Sequence, residues 1–322
     1  MENNHFHTIV IGAGPAGLTA GIYLSRAKMK TLVLDSGIAG GQLILTHEVA
    51  NYPGIEKISG YALSENMRKQ ALKFGCEMLS GISIATIDFE STMKSLSLTN
   101  GKKFTADTII LATGGRSRTL NVANEDFFKG RGISYCATCD GDFFQDKEIA
   151  VVGGGNTALE EAVSLTKYAS KVTLIHMLDH FQAFAHAQEE AMNNPKISFM
   201  MNSRITSFNG VDKLESVNIE NLLTHEQTEM KLDGVFVFIG YEANTDFVQG
   251  KCIRLNDRKE IITDEKLQTN VPGVFAAGDA IDKKYRQITT AVSDGTIAAL
   301  NAIEFINTRK SLQANHANSL IV

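Results

Sequence analysis

The sequence predicts an α/β protein made of two Rossmann-like three-layer domains, the second inserted into the first. Two observations lead to this prediction. A buried strand, a glycine-rich turn and a helix follow one another twice along the chain, and each helix leads into a further apolar strand. The length of 322 residues is sufficient for two domains. We expect residues 1–116 and 246–322 to form the first domain and residues 117–245 the inserted one.

The first copy of this unit lies at the start of the chain. An apolar strand over residues 8–11 runs into a turn at residues 12–17 with G-x-G-x-x-G spacing, and a helix is expected over residues 18–26. The next strand, over residues 30–35, ends in Asp35, about 20 residues after the first glycine. Such a turn lets the backbone approach a pyrophosphate at the positive end of a helix, and the acid accepts from a ribose hydroxyl. The segment is therefore predicted to bind a dinucleotide.

The second copy begins near the middle of the chain. A strand over residues 148–152 precedes a G-x-G-x-x-A turn at residues 153–158, a helix is expected over residues 159–168, and a strand follows over residues 171–176. The repeat indicates two domains, each shaped to hold a nucleotide.

Further strands and two hinges complete the predicted domains. Strands over residues 106–111 and 274–276 end in small-residue turns, and Asp279 closely follows the second of them. The polar, glycine-bearing stretches 115–118 and 240–245 flank the second copy, and we expect them to be the hinges of the insertion.

Composition narrows the class of protein. The net charge is −5, 43% of the residues are hydrophobic and 21% are charged, as in an ordinary globular protein. Lysine and arginine are dispersed, so a nucleic-acid partner is not expected. No apolar run approaches the ~18–20 residues of a membrane span, and the N-terminus lacks the pattern of a signal peptide. We expect a cytoplasmic protein without a membrane partner.

Two of the four cysteines, Cys136 and Cys139, form a C-x-x-C pair, and Asp140 follows directly. In a reducing compartment such a pair is more often catalytic or metal-binding than structural. A structural zinc site needs two further ligands, and Cys76 and Cys252 each stand alone, so no metal is expected. The pair favours disulfide redox chemistry, in which a thiolate is the nucleophile and a nearby acid carries the proton. Asp140 is also suited to cap a helix, and both roles can hold.

With these motifs the chain resembles the low-molecular-weight thioredoxin reductases, a class of FAD-containing pyridine-nucleotide disulfide oxidoreductases. The resemblance extends through essentially the whole length. It is carried, in chain order, by residues 12–17, 40–43 (GGQL), 51–54 (NYPG), 112–114 (ATG), 129–134 (KGRGIS), 136–141 (CATCDG), 278–279 (GD) and 285–287 (YRQ). It implies the FAD/NAD(P)-linked reductase fold, a homodimer, and reduction of a thioredoxin-like protein substrate.

The resemblance also implies roles for individual residues. Cys139 would face the flavin, Cys136 would attack the substrate disulfide, and Asp140 would transfer the proton. The alternative interpretation of Arg286 is a solvated surface arginine without a role in binding. FAD would be bound by Gly12, Gly14, Pro15, Ala16, Gly17, Asp35, Gly41, Gln42, Asn51, Ile84, Ala112, Thr113, Gly114, Gly278, Asp279, Arg286 and Gln287.

The second glycine turn departs from the family pattern. NADPH-dependent members carry His-Arg-Arg-x-x-x-Arg after the following strand, and this chain has His176, Met177, Leu178 and Gln182 at these positions. Without the guanidinium groups, the 2′-phosphate of NADPH loses its bidentate, charge-assisted partners. A tight NADPH site is therefore not expected.

Three kinds of electron donor are then compatible with the sequence. NADH would need Asp179 and a shifted loop, and weak NADPH binding would need His176 and Lys171. The third kind, which we favour, is a donor other than a pyridine nucleotide: ferredoxin, or a second flavin held by the protein.

Other interpretations stay open at this point. A ferredoxin–NADP reductase of related fold would not need the cysteine pair, and a flavin-bound redox sensor or binding module would not need the acid beside it. Tyr135 either stacks on a flavin or, as we favour, is an ordinary packed aromatic residue. For His176, His180 and His186 we favour solvated side chains over a metal site.

Overall fold

The computed structural model describes residues 4–46 and 49–319, and the chain divides into two compact units. Unit 1 comprises residues 1–116 and 242–322, and unit 2 comprises residues 117–241. The chain thus returns from unit 2 to unit 1 after residue 241, whereas the sequence predicted this return after residue 245. Each unit is built on its own parallel sheet, and the predicted α/β class with two Rossmann-like domains is confirmed.

Unit 1 opens with alternating strands and helices. A 3-10 helix over Gly41–Leu45 precedes its second α-helix. The elements up to the first crossing are β1 (His5–Ile11), α1 (Pro15–Arg26), β2 (Thr31–Leu34), α2 (Gly60–Lys73), β3 (Glu77–Leu79), β4 (Ile84–Asp88), β5 (Lys94–Leu98), β6 (Lys103–Leu111) and β7 (Gly115–Ser117).

Unit 2 repeats the alternation and adds an antiparallel meander. A 3-10 helix over Gly141–Phe144 follows its second short helix. Its elements are α3 (Glu125–Phe128), β8 (Ile133–Ser134), α4 (Ala137–Asp140), β9 (Glu148–Val152), α5 (Asn156–Leu165), β10 (Lys171–Ile175), α6 (Ala185–Met192), β11 (Ile197–Met200), β12 (Ser203–Gly210), β13 (Leu214–Asn221), β14 (Gln227–Lys231) and β15 (Gly234–Val237).

The chain then returns to complete unit 1. This last part holds 3-10 helices over Asp246–Val248 and Gly278–Ala280, with the elements β16 (Tyr241–Ala243), β17 (Val274–Ala276) and α7 (Ile288–Ser319). β16 pairs with β7 in a separate two-stranded sheet, so the outgoing and returning segments of chain lie side by side.

The main sheet of unit 1 runs in the order β3-β2-β1-β6-β5-β4 within the described residues. β6 is long enough to have two neighbours along one side: its first half pairs antiparallel with β5, and its last residues pair in parallel with β17. Because β1, β2, β3, β6 and β17 are parallel, their carboxyl ends meet at one edge of the sheet. The apolar strands and the inward faces of α1, α2 and α7 supply the buried core.

The sheet of unit 2 runs β11-β10-β9-β15-β8, and every pair of neighbours in it is parallel. One apolar cluster lies under α5 and α6, and a second packs the sheet against the antiparallel β12-β13-β14 layer. The described helices include none that is both long and apolar enough to cross a membrane.

Candidate functional site

The first predicted glycine turn lies at the carboxyl end of β1. Gly12 has φ +107°, and a Cβ there would lie 2.2 Å from the carbonyl oxygen of Ala112 at the end of β6. Gly17, near the start of α1, packs directly against the glycine-rich turn. A Cβ at this position would lie 1.8 Å from the carbonyl oxygen of Gly12. Both positions exclude a side chain. The helix begins with Gly14 as N-cap and Pro15 at N1, earlier than predicted, because proline is tolerated where no N–H is needed.

Asp35 follows β2 and lies against this turn. Its carboxylate accepts from the backbone N–H of Ala13 at 2.6 Å and of Gly37 at 2.8 Å. These bonds fix the carboxylate and leave lone pairs for a ribose hydroxyl. The N–H of Ile82 donates to the Asp35 carbonyl, and this brings the start of β4, with Ile84, close to the same corner.

The glycine-rich segment after β2 closes the other side of the turn. The N–H of Gly40 donates to the Ala13 carbonyl at 2.7 Å, and the 3-10 helix of residues 41–45 begins at Gly41 and Gln42. The ideal Cβ position of Gly14 has the Gly41 Cα as its nearest neighbour, at 3.8 Å. Backbone therefore lies on both sides of a narrow space in front of the N-terminus of α1.

Residues after β6 and β17 complete this edge of the sheet. Ala112 is buried, and the buried hydroxyl oxygen of Thr113 has no hydrogen-bond partner among the described residues. Gly114 has φ +61°, with no described atom within 4 Å of its Cβ position. Gly278 and Asp279 begin the 3-10 helix after β17, and burial raises the pKa of Asp279 while Lys283 and Arg286 oppose the shift.

Arg286 and Gln287 directly precede α7. Arg286 forms an ion pair with the buried Glu260, so it is not a solvated surface arginine. The Gln287 side-chain oxygen lies 3.4 Å from the amide nitrogen of Asn51, which joins two distant segments of unit 1. The predicted binding residues of unit 1 thus lie along the carboxyl edge of its sheet or on segments bonded to that edge.

This edge fits a dinucleotide such as FAD. The glycines leave space where side chains would stand, α1 presents the unpaired N–H groups of its first turn, and the orphaned Thr113 hydroxyl lacks a partner that a ligand would supply. No positive charge is required there, because a helix N-terminus already favours a pyrophosphate.

The cysteine pair lies in unit 2, between β8 and β9. Cys136 and Cys139 are joined in a disulfide, with their Cα atoms 5.3 Å apart, across the four-residue helix α4. Both side chains are half-buried. Gly141, just beyond, packs against Leu165 and Tyr168, and its Cβ position lies 3.2 Å from each. The small ring is thus carried on backbone packed against the end of α5.

Asp140 lies beside this disulfide and is linked to it by Ser134. The Ser134 hydroxyl donates to Asp140 Oδ2 at 2.6 Å and accepts from the backbone N–H of Cys136 at 3.1 Å. Burial raises the pKa of Asp140, the Ser134 hydrogen bond opposes the shift, and the charge of Asp142 adds to it. The Asp140 side chain makes no capping hydrogen bond to the following 3-10 helix. It is therefore a carboxyl that retains its proton to higher pH than usual.

Tyr135 is a packed aromatic residue, as favoured from the sequence. Its hydroxyl donates to Glu125 Oε1 at 2.7 Å, and Glu125 also accepts from the N–H groups of Leu120 and Asn121. The ring packs against the apolar cluster under the antiparallel layer, and Lys129 lies 4.9 Å above its centroid. Burial raises the pKa of Tyr135, so the phenol stays protonated.

The second glycine turn keeps its backbone geometry. Gly153 has φ +144°, Gly155 is the N-cap of α5, and no described atom lies within 4 Å of the Gly155 Cβ position. The loop after β10 is bonded onto the turn, since the N–H of Gln182 donates to the Gly154 carbonyl and that of Phe184 to the Asn156 side chain. The turn therefore keeps the open backbone shape of a glycine-rich nucleotide turn, with the loop folded against it.

His176 is buried against this turn, and the expectation of a solvated side chain was wrong. Its ring atoms lie 2.2–2.4 Å from the Gly154 Cβ position, and the ring stacks on Phe181. Burial lowers its pKa, so the imidazole is neutral near pH 7 and offers no charge to a phosphate. Its Nε2 has no partner among the described residues.

The other charges considered for this site lie elsewhere. Lys171 is at the opposite end of β10, paired with Glu148 across the strands, because only the carboxyl end of β10 meets the glycine turn. Asp179 pairs with His180 in an exposed contact of 2.6 Å. Between residues 172 and 195 the sequence has no lysine or arginine. In residues 4–46 and 49–319, no group of three or more His, Cys, Asp or Glu side chains could hold a metal ion.

Sequence reasoning missed residues that act through hydrogen bonds. Ser134, Glu125 and Glu260 are buried and polar, and each bonds to a residue singled out from the sequence: Asp140, Tyr135 and Arg286. Only Ser134 had a signal in the sequence, its position two residues before the cysteine motif. The two glutamates lie in polar segments that resemble any exposed loop.

Comparison with known proteins agrees with this architecture. Residues 6–295 match the family described as pyridine nucleotide-disulphide oxidoreductase. The chain is 45% identical to a thioredoxin reductase of Peptoclostridium acidaminophilum, covering 95% of this chain and 98% of that one. It is 42% identical to a 34.2 kDa protein in a rubredoxin operon of Clostridium pasteurianum, at the same coverages.

A solved structure gives the same assignment. The thioredoxin reductase of Streptococcus pyogenes superposes with a TM-score of 0.90 at 37% identity, covering 95% of this chain and all of that one. Full-length similarity, a paired C-x-x-C and two glycine turns on parallel sheets therefore occur together. The chain is an oxidoreductase that belongs to the pyridine nucleotide-disulphide oxidoreductase family and, within it, to the low-molecular-weight thioredoxin reductases.

Proposed function

We propose that the protein reduces the disulfide of a thioredoxin-like protein, using FAD held by unit 1 and the Cys136/Cys139 dithiol of unit 2. The observation that carries the proposal is the Cys136–Cys139 disulfide with a half-buried Asp140, whose pKa is raised, at the end of the same helical turn. Membership of the family implies FAD, and the relatives are named thioredoxin reductases. A cytoplasmic location belongs to the proposal, because a reducing compartment keeps the dithiol available.

The carboxyl edge of the unit 1 sheet is the proposed FAD site. The turn of residues 12–17 would hold the pyrophosphate, Asp35 the ribose, and Asp279 the ribityl chain. Bound FAD would supply the two electrons that open the Cys136–Cys139 disulfide. Segments around this turn would complete the site: Gly41, Gln42, Asn51, Ile84, Ala112, Thr113, Gly114, Gly278, Arg286 and Gln287.

The dithiol would then pass those two electrons to the substrate. The Cys136 thiolate attacks one sulfur of the substrate disulfide, and the other substrate sulfur leaves as a thiolate that takes a proton from Asp140. The Asp140 carboxylate removes the proton of Cys139, which attacks Cys136 Sγ and re-forms the Cys136–Cys139 disulfide. The second substrate sulfur leaves and takes up a proton from solvent, which replaces the one that Cys136 released to solvent on forming its thiolate, so a disulfide has become two thiols.

The proposed donor is not NADPH. A 2′-phosphate at the second glycine turn would meet neutral His176 and uncharged Met177 and Gln182, and Lys171 is at the far end of the strand. A reduced ferredoxin, or a second flavin, needs no such phosphate contact. NADH is the alternative, because Gly155 keeps an open cradle and NADH carries no 2′-phosphate.

A homodimer is also proposed, and sedimentation at several concentrations tests it.

The function is tested with cysteine variants of the FAD-loaded protein. Cys136→Ser is expected to abolish reduction of an oxidised thioredoxin with chemically supplied electrons, while the flavin absorption spectrum is retained. Cys252→Ser, outside the motif, is the matched control and should keep full activity. Retained turnover in the Cys136 variant would overturn the proposal. A pure redox sensor would instead show one stoichiometric reduction event and no turnover in the unmodified protein.

A further inference from the structure

The Ser134 hydroxyl lies between the disulfide and the acid, a position to which the sequence motifs assign no role. It lies at the end of β8, is 4% exposed, and makes three contacts with the short segment that follows. It donates to Asp140 at 2.6 Å, accepts from the N–H of Cys136 at 3.1 Å, and lies at the longer distance of 3.3 Å from the Cys136 carbonyl oxygen. A hydroxyl can donate one hydrogen bond and accept others, and here both capacities are used. One side chain therefore joins the backbone of the attacking cysteine to the carboxyl of the proton carrier.

We propose that Ser134 is a positioning residue, which holds the Asp140 carboxyl beside Cys136 and stabilises the carboxylate left after proton transfer. The inference rests on the proposed function, in which Asp140 gives its proton to the leaving thiolate. That transfer creates a negative charge on a half-buried, partly desolvated carboxyl, and such a charge is costly without a hydrogen-bond donor. Ser134 donates at 2.6 Å to Asp140 Oδ2, one of the two oxygens that share that charge.

Among the groups around Asp140, Ser134 is the one that favours the ionised carboxylate. Desolvation and the charge of Asp142 both disfavour the carboxylate, and the Ser134 hydrogen bond alone among the identified causes favours it. The helix α5, which packs against α4, carries the acidic residues Glu160 and Glu161. Neither of them shifts the pKa of Asp140. Loss of the hydroxyl should therefore raise the pH at which Asp140 titrates.

The test is a single turnover of the FAD-loaded protein, reduced anaerobically with dithionite and freed of excess reductant. It uses two disulfide probes over a series of pH values. Hydroxyethyl disulfide releases an alkyl thiolate that needs a proton, whereas dithiobis-nitrobenzoate releases a stable aryl thiolate that does not. Ser134→Ala is expected to slow the alkyl reaction about tenfold, move its pH inflection up by about one unit, and leave the aryl reaction unchanged.

Three variants separate positioning from a general structural role. Ser134→Thr keeps the hydroxyl and should restore the profile. Ser216→Ala is the matched control, because it removes another buried serine-to-carboxylate hydrogen bond of unit 2, to Glu229, and should change nothing. Ser134→Ala added to Asp140→Asn should slow the alkyl reaction no further, because the serine acts through the acid.

The outcomes distinguish this inference from the proposed function. An unmoved pH inflection in Ser134→Ala, or a further loss when it is added to Asp140→Asn, would overturn the role of Ser134 alone. An unchanged profile in Asp140→Asn itself would overturn the proton role of the acid and this inference together. If Ser134→Ala does not accumulate as folded, flavin-loaded protein, Ser134→Gly removes the same hydroxyl, and the same readings apply.

Discussion

Single buried carboxylates with several hydrogen-bond donors recur in both units. Glu125 accepts from two backbone N–H groups and the Tyr135 hydroxyl, and Glu260 accepts from Asn256, Arg258 and Arg286. A buried charge is tolerated only when such partners surround it. Local sequence does not predict these residues, because each glutamate on its own looks like a surface residue, and one donor to each, Tyr135 or Arg286, comes from a more distant segment.

Tyr135→Phe tests whether the residue before Cys136 contributes to the stability of the fold and not to the reaction. The change removes one of the hydrogen bonds to Glu125 and keeps the ring. We expect the free energy of unfolding to fall by about 1 kcal/mol, with the rate of disulfide reduction within about twofold of the unmodified protein. Tyr61→Phe, at an exposed position, is the control and should be neutral. An altered flavin absorption spectrum in the Tyr135 variant would instead indicate that this ring contacts the flavin.

The isolated cysteine Cys76 is expected to be chemically inert. Burial raises its pKa to about 11, so almost none of it is thiolate at neutral pH, and the thiolate is the reactive form. After reduction, brief treatment with iodoacetamide should label Cys136 or Cys139 and leave Cys76 unmodified in the folded protein. Peptide mass mapping checks this, and labelling of all three after unfolding is the control. Rapid native labelling of Cys76 would contradict its buried position.

At the level of elements, the sequence predicted the parts of the fold that are buried on both sides. The strands β1, β6, β9 and β10 each end in a run of buried, mostly apolar residues, and each was expected close to its observed place. The meander of unit 2 was not expected, because β14 reads QTEMK and is largely exposed, so no apolar alternation marks it. Its stability comes from pairing with β13, which sequence alone does not reveal.

The first glycine turn should tolerate no side chain at Gly12. Gly12→Ala puts a Cβ against the Ala112 carbonyl and requires φ +107°, so we expect little folded protein and no bound flavin. Gly101→Ala also has positive φ, +86°, but no described atom lies within 4 Å of its Cβ position. This control should cost about 1 kcal/mol and keep the flavin. The ratio of visible to ultraviolet absorbance and the melting temperature report both effects.

The loop after β10 should gain phosphate affinity when its arginines are supplied. In the triple variant M177R/L178R/Q182R, binding of 2′,5′-ADP is expected to tighten at least ~tenfold, with 5′-AMP unchanged, because only the former carries a 2′-phosphate. Three lysines at the same positions are the control and should gain less, since lysine cannot form bidentate contacts. Isothermal calorimetry measures both. Equal gains for the two nucleotides would mean that the arginines act on the 5′-phosphate instead.

For the molecule as a whole, the repeated nucleotide unit allowed the two-unit organisation to be anticipated from sequence. The glycine turns and their following strands are local patterns, so they can be recognised without a structure. The fit of the second turn to a 2′-phosphate is a different matter, because it depends on charges that the fold brings to that turn. Burial of His176 and the distance of Lys171 from that turn became evident only in three dimensions.

Anaerobic titration of the FAD-loaded protein tests the donor directly. NADPH at micromolar concentration is expected to leave the oxidised flavin spectrum unchanged, since its 2′-phosphate has no cationic partner at the second turn. Reduced ferredoxin should bleach the same band, and dithionite serves as the positive control. Rapid bleaching by NADPH would contradict the proposal. Bleaching by NADH alone would identify the 2′-phosphate as the group that the protein rejects.

The pairing of β7 with β16 allows an inserted unit to fold and to evolve separately from the unit that holds it. Because the two crossings form adjacent strands, residues 117–241 are, for unit 1, a long excursion whose ends already meet. The entropy of joining those ends grows only slowly with the length of the excursion. A whole nucleotide-binding unit can therefore be exchanged, lose its ligand or acquire a different one while the host sheet keeps its register. In this chain such independence is consistent with a second unit that carries the disulfide and has no lysine or arginine between residues 172 and 195.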